Sequence, residues 1–173
     1  MLLIVPRRYE DARGYFAEFY NQESFRDIGI PDAFVQDNFS FSGKSGTIRG
    51  LHFQLSPHEQ SKLVRVGRGR ILDVAVDLRR SSPTYKAHIS IELYAENGAQ
   101  VYLPAGLAHG FCTLEPNTEV IYKVSATYAP QFEGGILWSD PDLNIAWPIG
   151  PDEATISEKD KQLPLLKELE QNS

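Results

Sequence analysis

Apolar and polar residues alternate with period two along much of the chain, and the alternation predicts strands. From 35 to 42, Val35, Asp37, Phe39 and Phe41 fall on one face, and Gln36, Asn38, Ser40 and Ser42 on the other. Residues 87–94 repeat the pattern, with Ile89, Ile91 and Leu93 opposite His88, Ser90 and Glu92. Further strands are predicted over 15–20, 46–54, 99–103, 109–114 and 118–125, and a hairpin over 62–78 with Gly67-Arg68-Gly69 at its turn. Helical signals are few. Residues 21–28 suit one or two turns, stopped by Gly29 and Pro31. Ser157, three residues before Asp160, resembles a capping box, and Leu163, Leu165, Leu166 and Leu169 follow as a stripe, so a helical tail is predicted over about 157–171. Many short strands at regular spacing imply an all-β sandwich or barrel, built as one domain spanning 1–173.

A barrel has an inside, so a polar strand face is free to line a ligand cavity instead of meeting bulk water. That possibility gives Gln36 and Asn38 a purpose. Composition narrows the ligand. The 173 residues are 42% hydrophobic, enough for one full core, and the formal net charge of −6 disfavours general binding to nucleic acid or anionic membranes. An anionic small molecule stays possible where basic residues cluster. The lone Cys112 excludes an internal disulfide and fits a reducing compartment. The opening apolar run is short and precedes Arg7 and Arg8, the reverse of a secretory signal. A cytoplasmic protein is expected.

Two histidines follow glycine-bearing turns, in Arg49-Gly50-Leu51-His52-Phe53-Gln54 and in Pro104-Ala105-Gly106-Leu107-Ala108-His109-Gly110-Phe111. Gly46 with His52, and Gly98, Pro104 and Gly106 with His109, resemble the two motifs of metal-binding cupin barrels. In place of that pattern's second histidine stands Gln54, and in place of its final Asn stands Thr113. At most His52, His109 and Glu59 remain as ligands, where a transition metal wants three or four. The expected scaffold is a cupin-type jelly-roll barrel with its metal site dismantled.

Several ordered segments resemble the dTDP-4-dehydrorhamnose 3,5-epimerase family. They are Asp11-x-Arg13-Gly14-x-Phe16-x-Glu18, Gln36-Asp37-Asn38, Arg49 to Gln54, Gln60-x-Lys62-Leu63-Val64, Asp73 to Arg79, and Pro104 to Phe111. Tyr122-Lys123, Tyr128, Glu133, Trp138-x-Asp140-Pro141, Trp147-Pro148 and Ser157-x-Lys159-Asp160 complete the series. The resemblance implies inversion of carbons 3 and 5 of a 4-keto-6-deoxy sugar on thymidine diphosphate, with no metal or organic cofactor, in a homodimer. Each carbon lies beside the ketone, so its C–H is acidified by enolate formation. The reaction needs a base on one face, an acid on the other and a positive group at the oxyanion.

By resemblance, His52 is the base, Asp160 its orienting carboxylate, Tyr122 the acid and Lys62 the enolate stabiliser. Arg13 and Arg49 match diphosphate ligands, whose planar forks meet phosphate oxygens in pairs. Phe16 and Glu18 match the nucleoside end, and Gln36, Asn38, His109, Tyr128 and Glu133 the rest of the pocket. Without those segments, His52 reads as readily as a hydrogen-bonded core histidine, and Asp160 as a plain helix N-terminal residue. An enzyme inverting only one carbon, a ketoisomerase on the same scaffold, a non-catalytic sugar-nucleotide binder and a metal-dependent cupin are the competing readings.

Two features stand apart. Arg49 and His52 are three residues apart, so a straight strand would aim them at opposite faces. An irregularity is therefore expected between Gly46 and Gly50. The stretch before Asp11 is about ten residues shorter than the family's usual length, which leaves open how far an N-terminal strand is exchanged across the dimer. Ser61 replaces a more usual Gly or Ala, and Phe53 a frequent Tyr; neither touches the expected proton path.

Overall fold

A computed structural model describes residues 1–171, so residues 172 and 173 of the expected domain lie outside it. Two five-stranded antiparallel sheets face each other. The first has the order β1 (Leu2–Ile4), β9 (Gln100–Leu103), β6 (Lys62–Arg68), β11 (Thr118–Val124), β4 (Gln36–Ser42). The second runs β12 (Glu133–Gly135), β5 (Ile48–Gln54), β10 (Leu107–Thr113), β7 (Arg70–Asp77), β8 (His88–Tyr94). A separate hairpin of β2 (Arg8–Asp11) and β3 (Gly14–Ala17) forms an arm. The fold is the expected all-β, cupin-like jelly roll with few short helices.

The expected 62–78 hairpin is not a ladder. Strand β6 pairs with β11 and β9, and β7 with β10 and β8, so the chain changes sheet at Gly69. Gly69 has φ +79, and a Cβ there would lie 2.5 Å from the Thr118 hydroxyl. The Gly-Arg-Gly turn signal was real, but which strand pairs with which is a long-range matter. The strand expected over 15–20 ends at Ala17, where the chain leaves the arm for helix α1 (Gln22–Asp27), capped by the Asn21 side chain on the amides of Glu23 and Ser24. The tail forms two helices, not one: α2 (Glu158–Lys161), capped by Ser157, and α3 (Leu166–Gln171). Pro164 between them cannot supply a helical N–H.

The closed part of the barrel is filled by Val64, Val66, Ile71, Leu93, Val101, Phe111 and Val120. The outer face of the second sheet is covered by the tail, where Leu51, Val74, Val76 and Ala108 meet Ile136, Leu143 and Leu166. Strand β7 is therefore apolar on both faces, which is why Val74-Ala75-Val76 reads as a continuous run without alternation. Just before that run, Asp73 shares the barrel-facing side with Ile71 and Ala75. Helix α1, through Phe25, and Ile30 in the turn after it seal the outer face of the first sheet against Leu63 and Tyr102.

An irregularity exists, but at Gly50–Leu51, at the end of and just past the expected interval from Gly46 to Gly50. His109 pairs with His52 and Phe111 with Arg49, so two steps along β10 span three along β5. The extra residue is a bulge that returns Arg49 and His52 to one side while Leu51 points into the core under the tail. Gly50 has φ +114, and a Cβ on it would stand 2.6 Å from Gly110 Cα and 2.7 Å from the His109 carbonyl oxygen. Both obstacles are backbone and cannot rotate away. Gly50→Ala is expected to destabilise the protein by at least ~2 kcal/mol, from the left-handed conformation and the clash together. A urea unfolding midpoint equal to wild type would show that the bulge tolerates a side chain.

Candidate active site

Between the sheets lies a cavity of about 660 Å³. That is the size range of a small-molecule site. Strand β4 supplies Gln36, Asn38 and Ser40, the polar face of its alternation, while Val35, Phe39 and Phe41 on the other face are exposed. Strand β5 supplies Arg49, His52 and Gln54; β6 supplies Lys62; β10 supplies His109 and Phe111; β11 supplies Tyr122. The segment before and within α2 closes one side with Ser157, Lys159 and Asp160.

His52 and Tyr122 come from facing sheets and line the same cavity. His52 Nε2 lies 2.8 Å from Asp160 Oδ1, and Asp160 Oδ2 accepts the Gly50 amide at 3.1 Å. One carboxylate thus ties the bulge to the imidazole. Burial alone would raise the Asp160 pKa, but hydrogen bonds from His52 and the Gly50 amide outweigh it and hold the carboxyl below its ordinary value. With Nε2 engaged by Asp160, the His52 tautomer carries its proton there and leaves Nδ1 with a free lone pair.

Lys62 is 7% exposed, and its ammonium donates to the His52 carbonyl at 3.2 Å. Burial pushes its pKa down to about 8, against the opposing pull of Asp73 and Glu133. Burial likewise raises the Tyr122 hydroxyl above its usual range, with Arg49 pulling the other way, so the phenol holds its proton near neutral pH. His109 Nε2 is 2.7 Å from Asp73 Oδ1, both groups buried. Among the described residues no three or more His, Cys, Asp or Glu are grouped to hold a metal ion.

At the mouth, Tyr128 donates its hydroxyl to Glu133 at 2.8 Å and Lys159 pairs with the same carboxylate at 2.6 Å. Gln36 accepts the Tyr128 amide and donates to Asn38. Arg49 bends back onto β4, donating to the Phe41 carbonyl at 3.0 Å. Ten of the expected site residues therefore gather around one cavity: His52, Tyr122, Asp160, Lys62, Gln36, Asn38, Arg49, His109, Tyr128 and Glu133. Arg13, Phe16 and Glu18 do not join them within this chain. Arg13 stands at the tip of the arm paired with Asp11, and Phe16 is 69% exposed. The sequence reading gave no site role to Asp73, Lys159, Ser40 or Gln60. An acid inside an apolar run was the signal for Asp73, and the period-two face of β4 was the signal for Ser40.

A jelly roll whose cavity holds an oriented imidazole, a protonated phenol on the facing wall and a buried ammonium defines a proton-transfer isomerase. The model of the family described as dTDP-4-dehydrorhamnose 3,5-epimerase matches residues 1–168, and the chain belongs to that family and is an isomerase of the epimerase class. A dTDP-4-dehydrorhamnose 3,5-epimerase of Sinorhizobium fredii is 50% identical over 171 residues, covering 96% of this chain and 85% of that protein. The crystal structure of the Bacillus anthracis enzyme with TDP and PPi bound superposes with TM-score 0.92 at 48% identity, covering 95% of this chain and 93% of that one. A Legionella pneumophila epimerase in complex with dTDP-4-keto-L-rhamnose gives TM-score 0.89 at 43% identity, covering 95% and 87%. Among the described residues no helix is long and apolar enough to cross a membrane.

Proposed function

We propose that this chain converts dTDP-4-dehydro-6-deoxy-D-glucose into dTDP-4-dehydro-L-rhamnose, a step toward dTDP-rhamnose, by inverting carbons 3 and 5. The observation that carries the reading is the placement of His52 and Tyr122 on facing sheets of one cavity. His52 Nδ1 takes the proton from a carbon beside the ketone. The C–H pair moves into the enolate, and the charge on oxygen is met by the Lys62 ammonium. The Tyr122 hydroxyl returns a proton to the opposite face, inverting the centre. Imidazolium and phenolate then reset by exchange with solvent before the second carbon reacts. Asp160 holds the tautomer and stabilises the imidazolium.

Arg49 takes the diphosphate, and Gln36, Asn38, His109, Tyr128 and Glu133 complete the pocket. No metal or organic cofactor is called for, since the substrate's own ketone acidifies both C–H bonds. A homodimer is the working assembly of this proposal, with the partner subunit's Arg13, Phe16 and Glu18 reaching the cavity mouth. It is supported by the exposed aromatics of the arm, Tyr9, Tyr15 and Phe16, and by exposed Phe39 on edge strand β4. The setting is the cytoplasm, where sugar nucleotides are made.

Incubation with the substrate in heavy water is the direct test. Deuterium is expected at both carbons 3 and 5, one atom for each inversion. Label at a single carbon would assign a mono-epimerase, and no label would leave a binder without catalysis.

A further inference from the structure

Asp160 sits on a four-residue helix, which is far too short to be stable by itself. Its position depends on how the surrounding strap, 155–166, is pinned. At the near end, Thr155 makes two backbone hydrogen bonds to β5 and the turn before it: its amide donates to the Gly46 carbonyl at 2.9 Å, and its carbonyl accepts the Ile48 amide at 3.0 Å. At the far end, the Leu137 amide donates to the Pro164 carbonyl at 2.8 Å. The Leu166 amide donates to Asp140 Oδ2 at 2.7 Å.

Asp140 is 2% exposed. Its other oxygen accepts the amides of Asp142 at 2.8 Å and Leu143 at 3.1 Å, which folds the 140–143 loop around the carboxylate. All three donors are backbone amides. Burying a carboxylate is costly unless several donors meet it, so a group used this way ties together the segments that supply those donors. One segment is the loop after β12; the other is the strap carrying Asp160. Leu166 and Leu143 pack in the same cluster beside this contact.

We infer that Asp140 is a positioning residue for the reaction: by pinning the strap at Leu166 it sets where the Asp160 carboxylate meets His52. The inference rests on the proposed role of Asp160. Asp140→Asn is nearly isosteric and separates the two functions of the carboxylate. Its amide oxygen still caps Asp142 and Leu143, while its NH₂ meets the Leu166 amide donor to donor.

The experiment is a double-mutant cycle of Asp140→Asn and Asp160→Asn, read as kcat, KM and the binding of thymidine diphosphate. Asp140→Asn is expected to lower kcat by about 10- to 100-fold, the scale of a displacement near 1 Å. Thymidine diphosphate affinity should stay within about twofold, and the kcat loss should vanish in the Asp160→Asn background. Hydrogen exchange should quicken at the Leu166 amide while β7 and β10 stay protected. A wild-type kcat for Asp140→Asn, or a loss that multiplies unchanged with that of Asp160→Asn, overturns the inference. If Asp160→Asn itself keeps full turnover, the reading of Asp160 fails, and the inference with it. Should Asp140→Asn not fold, Asp140→Ser keeps an acceptor for the loop and drops the oxygen at Leu166, and the same criteria apply to it.

Discussion

Replacing His52 with alanine is expected to lower kcat by ~10²- to 10⁴-fold, the usual contribution of a positioned acid or base. The size follows from the site's economy of groups. With Nε2 held by Asp160, Nδ1 is the ring nitrogen of His52 left to act as a base, and His52 lines the cavity shared with Tyr122. Alanine also leaves Asp160 buried with the Gly50 amide but without the imidazole. Deuterium uptake at carbons 3 and 5 should fall in step with turnover, because abstraction starts both inversions. Thymidine diphosphate affinity should stay near wild type, since the groups proposed for it lie elsewhere. A variant that epimerises near the wild-type rate would show that another group is the base.

Lys62→Met should cost ~10²- to 10³-fold in kcat, the scale of losing one preorganised charge at a developing oxyanion. Methionine keeps most of the buried stem and removes the ammonium. The wild-type pH profile carries the same signature. With a pKa near 8, Lys62 loses its proton, and kcat/KM its oxyanion partner, as pH rises through that value in the free enzyme. Stability moves the opposite way. The folded pKa lies below the ordinary 10.5, so between about 8 and 10.5 the unfolded chain binds more protons, and folding gains with rising pH. Below about 8 the cost of the buried charge is fully present. Lys62→Met should therefore be no less stable than wild type at pH 7, and the pH-dependent gain above 8 should be missing from it. A flat kcat/KM through pH 9, or full activity in Lys62→Met, would remove Lys62 from the chemistry.

Much of the site was legible in local sequence because its parts are local. The alternation of residues 35–42 marks a polar face, and in the structure that face lines the cavity. Three-residue spacing between Arg49 and His52 called for a bulge, and one is present at Gly50–Leu51. The Ser157 cap appears where the Ser-x-x-Asp pattern placed it. Other features were not legible. Lys62 to Leu78 carries every mark of a hairpin, yet its halves lie in opposite sheets. Turn chemistry specifies a reversal of direction; pairing is chosen by which strand completes the buried faces. The break of the expected tail into two helices around Pro164 went unread, and only packing revealed that the segment straps Asp160 to His52 across 108 positions of sequence.

The chain's residue pattern determined that strands would form, which of their faces are polar, and that imidazole, phenol, ammonium and arginine were available for proton chemistry on an anionic ligand. Those properties follow from side-chain type and a period of two, and need no distant contact. Tertiary structure alone decided that β5 and β11 oppose each other across one space, that burial lowers the Lys62 pKa, and that Arg13 and Phe16 stand apart on an arm. Each of these depends on what lies between or around residues far apart in the chain, which no local pattern encodes.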